Sequence, residues 1–384
     1  MNKNAAFIGS YATGTIHQMF DTAFLHVCAE SFDHIDCYKD KTTFPYIEEM
    51  GKKYGFMQKV SLNPIKLIKA STRFSELFHF VKSAWLNITL YLRLKNDVII
   101  YAYNNLFSLH IIHFMNKIFH KKIIICVHGE LESLVNNEGG LFAKVNGIIL
   151  RNYLLHKTIQ KEIFFLVLGD SIFENLKRII PPKNIHHFFS IDHPCYMNDL
   201  EKCGRMREDF NKFGLLGTLS AMKGFESFEY FVNRIKELSN DKYKISIIGR
   251  IDSHDHDAFL QEKGIDVTWS YLAREDFETR ILECDCVLFF YPATSYKLIA
   301  SGTILDAISL CRPVLAIKND FFDYIINKSN YPAILCDNVD KMIEVIRSGS
   351  IKELNSNERT MKRDVFAPSQ VALQLQEICQ KIMS

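Results

Sequence analysis

Short apolar runs of strand length alternate along this chain with longer segments in which apolar residues recur at helical spacing. The alternation is typical of parallel sheets covered by helices, because buried parallel strands are almost continuously apolar. It occurs twice, which predicts an α/β chain of two Rossmann-like, doubly wound domains. The predicted strands span 5–10, 34–38, 98–103, 123–128, 164–169 and 187–191 in the first series, and 213–217, 245–249, 267–269, 286–291, 314–317 and 333–336 in the second.

The alternating pattern is interrupted between residues 192 and 207, where Pro194, Asn198 and Gly204 supply turn residues without a periodic apolar face. We therefore expect an N-terminal domain over 1–195 and a C-terminal domain over 208–362. The remaining residues, 363–384, include a predicted helix over 368–383 that is expected to pack back on the first domain.

Length and composition agree with two folded domains. The chain has 384 residues, of which 48% are hydrophobic, enough for two cores. Its ten cysteines are scattered without zinc-ligand spacing, so we expect reduced thiols and no structural metal. Met1–Ser10 lacks the basic start and apolar stretch of a signal peptide, which predicts a cytoplasmic protein.

Positive charge is concentrated between residues 52 and 122, where twelve basic and two acidic side chains give a net charge of +10. A solvated basic face is one interpretation. Attraction to anionic lipid headgroups is the other, since aromatic and aliphatic residues are interleaved with the charges as in an interfacial helix. Nucleic acid is not expected, because no binding motif accompanies the charge.

Two loops of the second domain have the composition of a phosphate site. Open parallel sheets bind ligands beyond the carboxyl ends of their strands, where helix N-termini hold phosphate. One such loop contains Gly217, Thr218 and Lys223, and its small residues allow a ligand to approach the backbone. The alternative is that Lys223 is merely solvated.

The other loop precedes a predicted helix. Ser301, Gly302 and Thr303 would present helix-terminal amides to a diphosphate, and Asp306 would accept hydrogen bonds from ribose hydroxyls. Tyr296 and Lys297 lie just before this segment. The alternative makes Ser301 an ordinary N-cap and Asp306 an acid that complements the helix dipole.

Two loops of the first domain carry candidate proton-transfer groups. His128 and Glu130 follow an apolar strand; a neutral His128 would donate a hydrogen bond to a hydroxyl or carbonyl group, and Glu130 would take a proton from an attacking hydroxyl. A capping histidine beside exposed glutamates is the alternative. His17 and Asp21, after the first strand, are further candidate bases.

In the second half, the order Lys223-Gly224, Gly249-Arg250, Asp306 and Arg312-Pro313-Val314 resembles the GT-B glycosyltransferases, particularly the family-4-like bacterial polysaccharide enzymes. The resemblance implies two domains facing across a cleft, with Lys223 at the donor phosphates, Asp306 at the ribose and His128 against the donor sugar. This chain has Thr218 where the family often has arginine, so Arg250 or Lys297 would supply the charge. Leu298 occupies the place of the first of two glutamates found in many retaining members.

The resemblance implies a metal-independent hexosyltransferase that uses a UDP- or GDP-sugar and no other cofactor. Its acceptor would be a hydroxyl of a bacterial surface saccharide, as in lipopolysaccharide or capsule synthesis. The basic, aromatic stretch over residues 52–122 suggests that this acceptor is lipid-linked and that the protein docks on the inner face of the membrane. Two alternatives stay open: an isomerase resembling nucleotide-sugar 2-epimerases, and a non-catalytic scaffold that keeps the fold.

Overall fold

The computed structural model describes residues 3–15, 17–69, 73–136, 141–203, 210–239, 242–251, 254–268, 272–354 and 361–383. The chain forms two compact units. The first comprises Met1–Cys195, Leu298–Ala300 and Phe366–Ser384, and the second comprises Tyr196–Lys297 and Ser301–Val365.

The first unit contains a seven-stranded sheet in which every pair of neighbours is parallel, in the order β3-β2-β1-β4-β5-β6-β7. Strand order reverses beside β1, where a ligand crevice forms in doubly wound sheets. The strands are β1 Asn4–Gly9, β2 His34–Asp40, β3 Val60–Ile65, β4 Val98–Tyr101, β5 Lys122–Cys126, β6 Ile163–Leu168 and β7 Phe188–Ile191.

Helices of the first unit cover this sheet. They are α1 Gln18–Ser31, α2 Phe44–Lys53, α3 Arg73–Arg93, α4 Leu106–Phe119, α5 Leu141–Arg151, α6 Asp170–Lys177, α7 Pro182–Ile185 and, from the end of the chain, α15 Pro368–Met383. A 3-10 turn over Gly129–Leu134 follows β5, and a π-helical turn over Asn152–His156 extends α5. Among the described residues, no helix combines the length and apolar character that crossing a bilayer requires.

The second unit repeats the architecture with a six-stranded parallel sheet in the order β10-β9-β8-β11-β12-β13. Its strands are β8 Lys212–Leu216, β9 Lys244–Ile248, β10 Asp266–Val267, β11 Cys286–Phe289, β12 Val314–Ile317 and β13 Ala333–Cys336. Its helices are α8 Leu200–Cys203, α9 Phe225–Ser239, α10 Asp257–Glu262, α11 Arg274–Leu282, α12 Gly302–Ser309, α13 Asp320–Ser329 and α14 Val339–Ser348.

Both cores follow from strands that are apolar on both faces. Successive strand side chains point to opposite faces of a sheet, so Phe7 of β1 packs with α1 and α15 while Ala6 and Ile8 point to the other face. In the second unit, Phe213 and Leu215 of β8 join a core with α9 and α14. All ten cysteines are free thiols, nine of them buried.

The α/β class and the two doubly wound sheets confirm the sequence prediction. Prediction and structure differ at residues 60–65, which form edge strand β3, containing Pro64, although the sequence pattern predicts no strand there. Proline is tolerated there because an edge strand has an unpaired side. The first segment of the first unit ends at Cys195, as predicted, but this unit also contains Leu298–Ala300, and its last segment begins at Phe366, whereas the second predicted domain ends at 362.

Candidate functional site

Three predicted residues of the second unit meet at the carboxyl end of β8. Gly217 follows the strand with φ 81°, and a Cβ atom built on it would lie 2.7 Å from Thr303 Cγ2 and 3.5 Å from Lys223 Nζ. The absence of a side chain at Gly217 therefore creates the space in which the ammonium group and the first turn of α12 approach each other.

The N-terminus of α12 is not capped by its N-cap side chain. Ser301 has the extended backbone of an N-cap residue but makes no capping hydrogen bond. Its Oγ lies 3.0 Å from Thr303 Oγ1, which lies 3.1 Å from the Tyr291 hydroxyl. The structure thus differs from an ordinary serine cap, and the first-turn amides receive no acceptor from Ser301.

Positive charge beside this helix start comes from Lys223. Its Nζ lies 5.5 Å from the ring centroid of Tyr291, and no carboxylate of the described residues forms an ion pair with it. Lys297, a second predicted cation, forms a 2.8 Å ion pair with Asp320 at the start of α13. Lys223 is therefore the better placed of the two to balance a bound anion.

Gly249 and Arg250 adjoin the same corner through the backbone. Gly249 has φ 151°, and a Cβ atom there would lie 2.1 Å from the carbonyl oxygen of Gly217, so no other residue fits. The Leu219 amide donates to the Arg250 carbonyl at 2.8 Å. These contacts hold the loops after β8 and β9 together. Half-buried Thr218 lies between Gly217 and Leu219 in the first of these loops.

Asp306 is held by a partner that the sequence did not reveal. Arg274 of α11 donates from Nη1 to Asp306 Oδ1 at 2.7 Å and from Nε to Glu278 at 2.7 Å. Burial raises the pKa of Asp306, although the Arg274 guanidinium opposes the rise. Arg274 and Asp306 are 32 positions apart, and no motif links them, so only the fold shows their pairing.

Tyr296 packs against Tyr291, the aromatic residue next to Lys223 and Thr303. Its ring is buried, with its centroid 4.5 Å from that of Tyr291, and its backbone has φ 57°. Tyr291, the common neighbour of Lys223, Thr303 and Tyr296, was assigned only to a predicted strand. An aromatic residue at a strand's carboxyl end was the available signal for it.

In the first unit, Glu130 lies in the turn after β5. Its Oε2 accepts a 2.9 Å hydrogen bond from the His128 amide, while Oε1 is shielded from solvent and has no hydrogen-bond partner of good geometry within the described residues. Burial raises the pKa of Glu130 to about 7, against the lowering effect of hydrogen bonds to its carboxylate. Glu130 therefore titrates in the range that suits a general base.

His128 is neutral, and its proton is already in use. Its Nε2 donates to the Ala102 carbonyl at 2.9 Å, and burial lowers the pKa of the ring to about 4. A neutral imidazole has one N–H, so the remaining nitrogen, Nδ1, accepts hydrogen bonds. The structure thus assigns His128 an acceptor role in place of the predicted donor role.

The remaining predicted bases have different surroundings. His17 is exposed, with its ring centroid 5.9 Å from that of His128, so these two residues and Glu130 share one region. The Asp21 carboxylate forms a buried ion pair with Lys39. The Lys39 ammonium group already occupies the Asp21 carboxylate, so this geometry favours Glu130 over Asp21 as the base.

Several residues near this region were not identified from the sequence. Tyr11 stacks on Tyr103 with centroids 4.1 Å apart and meets His79 of α3 edge-on at 5.6 Å. Glu132 accepts a hydrogen bond from the Leu298 amide at 2.8 Å within the first unit. Aromatic residues after β1 and β4 were the signal for the tyrosine pair, since both strands end beside the reversal of strand order.

In the part of the chain that the structure describes, no group of three or more His, Cys, Asp or Glu side chains is arranged to hold a metal ion.

Comparison with solved structures identifies the fold as GT-B. The sucrose-phosphate synthase of Thermosynechococcus elongatus has a TM-score of 0.67 at 12% identity, covering 99% of each chain. WaaG, a glycosyltransferase involved in lipopolysaccharide biosynthesis, has a TM-score of 0.61 at 13% identity, covering 97% of this chain and 99% of WaaG. A point mutant of S. aureus TarM has a TM-score of 0.61 at 10% identity, covering 98% of this chain and 99% of TarM.

Sequence comparisons add no family. No family model matches this chain. No curated protein matches it either. The GT-B resemblance read from the sequence is thus confirmed by the fold, while activity has to be argued from the site.

Proposed function

We propose that this protein is a hexosyltransferase that moves a sugar from a UDP- or GDP-sugar to a hydroxyl group of a saccharide acceptor. The observation that carries the proposal is the meeting of Lys223, Gly217 and the uncapped N-terminus of α12 in the second unit. An ammonium group beside the first-turn amides of a helix is a binding site for phosphate. The TarM structure that shares this fold was solved in complex with UDP.

In the proposed reaction, the bond between the anomeric carbon and the diphosphate oxygen breaks while a bond to the acceptor oxygen forms. The leaving diphosphate takes the electron pair. Lys223 and the amides of Gly302 and Thr303 stabilise this charge, with Arg250 contributing, and the chain supplies these charges without a metal ion. Arg274 fixes the Asp306 carboxylate so that it can accept a hydrogen bond from a ribose hydroxyl.

Glu130 of the first unit is our candidate for the base that accepts the hydroxyl proton. With its pKa at about 7, a substantial fraction of Glu130 is ionised at neutral pH, and the protonated product is not strongly disfavoured. His128 accepts a hydrogen bond from a sugar hydroxyl through Nδ1. His17 lies beside His128. The rate should rise with pH through about 7, and Glu130→Gln should abolish this rise.

Donor binding is tested by calorimetry with UDP, GDP, CMP and ADP. We expect one nucleoside diphosphate to bind, and Lys223→Met to weaken it about ten- to a hundredfold, because hydrogen bonds to charged groups are worth about 1.5–3 kcal/mol. Lys341→Met is the matched control, since Lys341 is an exposed lysine on α14 of the same unit. Binding of no nucleoside diphosphate, or equal binding by Lys223→Met, would contradict the proposal.

The acceptor proposed here is lipid-linked, and the enzyme is proposed to associate peripherally with the cytoplasmic face of the membrane. The basic stretch and the exposed apolar helices of the first unit support this placement.

Product analysis decides the reaction type: conversion of the nucleotide sugar in the absence of any acceptor would identify an isomerase instead.

A further inference from the structure

Three neighbouring helices of the first unit expose a row of large apolar side chains. On α4, Phe107, Ile111, Phe114 and Ile118 recur at spacings of four, three and four residues, and all four are exposed. Such spacing places them along one side of the helix. Phe114 and Ile118 are 67% and 72% exposed, among the highest fractions for large apolar residues in this protein.

Helices α3 and α5 extend this surface on either side of α4. Helix α3 packs against α4, and α4 packs against α5. Leu77, Val81 and Trp85 follow one another at four-residue spacing on α3, with Trp85 64% exposed. Val145 and Ile148 are the exposed apolar residues of α5. We refer to the exposed side chains of these three helices as the α3–α4–α5 face.

The α3–α4–α5 face is not a displaced core. Helix α3 already buries Phe80, Ala84 and Tyr91, and helix α4 buries Leu109 and Ile112 on the opposite side. A surface helix is normally polar on the side opposite its buried stripe. Apolar side chains on the exposed side of α3 and α4 therefore indicate a second apolar environment outside the core. Contiguous apolar patches of more than a few hundred Å² mark interaction sites.

Charge identifies the kind of partner. The three helices contain six basic residues and one acidic residue, Glu76. Helices α4 and α5 have no acidic residue at all. An anionic surface complements this balance. A second copy of the same face does not, because two positively charged faces repel each other.

The location of helix α3 within the first unit agrees with an anionic surface as the partner. The buried side of α3 lies against the loop after β1: His79 meets Tyr11 at 5.6 Å, and the Ser83 hydroxyl donates to Ser10 Oγ at 3.1 Å. Tyr11 stacks on Tyr103 in the region of His17 and His128. Helix α3 therefore contributes to the α3–α4–α5 face on its exposed side and contacts the loop that leads to His17 on its buried side.

We propose that the α3–α4–α5 face docks on an anionic lipid bilayer. Trp85, Phe114 and Ile118 enter the boundary between headgroups and acyl chains, and the flanking cations, including Lys82, Lys117 and Lys144, contact lipid phosphates. This inference rests on one part of the proposed function, the association with a membrane. It does not depend on the transfer reaction.

The test is sedimentation of the full chain with vesicles. Vesicles of equal parts phosphatidylglycerol and phosphatidylcholine should bind the protein, and pure phosphatidylcholine should bind it far less. Phe114→Ser and Ile118→Ser should each weaken binding about tenfold, since burying such a side chain is worth about 1.5–3 kcal/mol. Leu373→Ser is the control, because Leu373 is an exposed apolar residue on α15 of the same unit.

A second measurement does not depend on those variants folding. Trp85 becomes the single tryptophan in a Trp269→Phe chain, position 269 lying outside the described residues. Its emission should shift to the blue on anionic vesicles and be quenched by lipids brominated on the acyl chains. Nucleoside diphosphate affinity, measured on the same samples, should stay unchanged, so failure of docking is distinguishable from failure of the proposed function.

Three results would overturn the inference: equal binding to neutral and anionic vesicles, unchanged Trp85 emission on anionic vesicles, or unweakened binding by the Phe114 and Ile118 variants. Concentration-dependent self-association that these two substitutions abolish would instead assign the face to a second copy of the chain.

Discussion

Gly217→Ala is the sharpest perturbation of the proposed phosphate site. The added methyl group would lie 2.7 Å from Thr303 Cγ2 and 3.5 Å from Lys223 Nζ. It would therefore push apart the two groups that are proposed to hold the diphosphate. Alanine also strains the backbone, because Gly217 has φ 81°.

A matched control separates crowding from backbone strain. Gly264, in the same unit, has φ 59°, and a Cβ atom there would meet nothing within 4 Å. Strain alone costs about 1–2 kcal/mol and applies to both positions. Crowding costs a further 1–3 kcal/mol or so and applies only to Gly217. We expect destabilisation of about 2–5 kcal/mol for Gly217→Ala and about 1–2 kcal/mol for Gly264→Ala.

Denaturant unfolding measures both losses, and calorimetry with the nucleoside diphosphate that binds measures the site. Gly217→Ala should weaken nucleotide binding, and Gly264→Ala should not. Adding Thr303→Ser removes the crowded methyl group and should recover part of the lost stability and affinity. Equal destabilisation by the two alanine variants, or normal nucleotide affinity in Gly217→Ala, would refute the reasoning.

Three further predictions concern carboxylates. The pKa of Glu130 in the folded protein, about 7, exceeds its ordinary value of 4.5, so stability should fall as pH rises between these values; Glu130→Gln should remove the fall, seen as a higher Tm than wild type at pH 8 but not at pH 4. Asp21→Asn leaves Lys39 buried without its counter-charge and should cost about 3–5 kcal/mol in unfolding free energy. Asp306→Ala should weaken binding of the nucleotide more than that of inorganic diphosphate, which lacks ribose; equal losses would contradict the ribose role.

Strand periodicity predicted most of the fold because parallel strands are buried on both faces and read as apolar runs. Strand β3 was not predicted, because Ser61, Asn63 and Pro64 interrupt its apolar pattern at the edge of the sheet. The helix predicted over 368–383 matches α15, since its apolar face packs on α1 and its residues have regular helical spacing.

The candidate site was predictable where its residues lie in loops after strands. Lys223 and Thr303 are 80 positions apart, yet both follow strands or open helices at carboxyl ends, and such ends converge in a parallel sheet. Side-chain pairing was not predictable. Each ion pair depends on the direction in which its two side chains turn, and sequence spacing contains no signal for that. The pairs are Arg274 with Asp306, Asp320 with Lys297, and Lys39 with Asp21.

Helix α15 gives this protein an unusual order of assembly. Its residues Val371, Leu375 and Ile378 complete the core that Phe24 and Val27 of α1 begin, and Ser31 donates to the Ala372 carbonyl. The ribosome makes this helix only after the whole second unit. Until then, the apolar side of α1 has no cover, so a nascent chain stalled before residue 368 should bind chaperones through that surface, even with its second unit already folded.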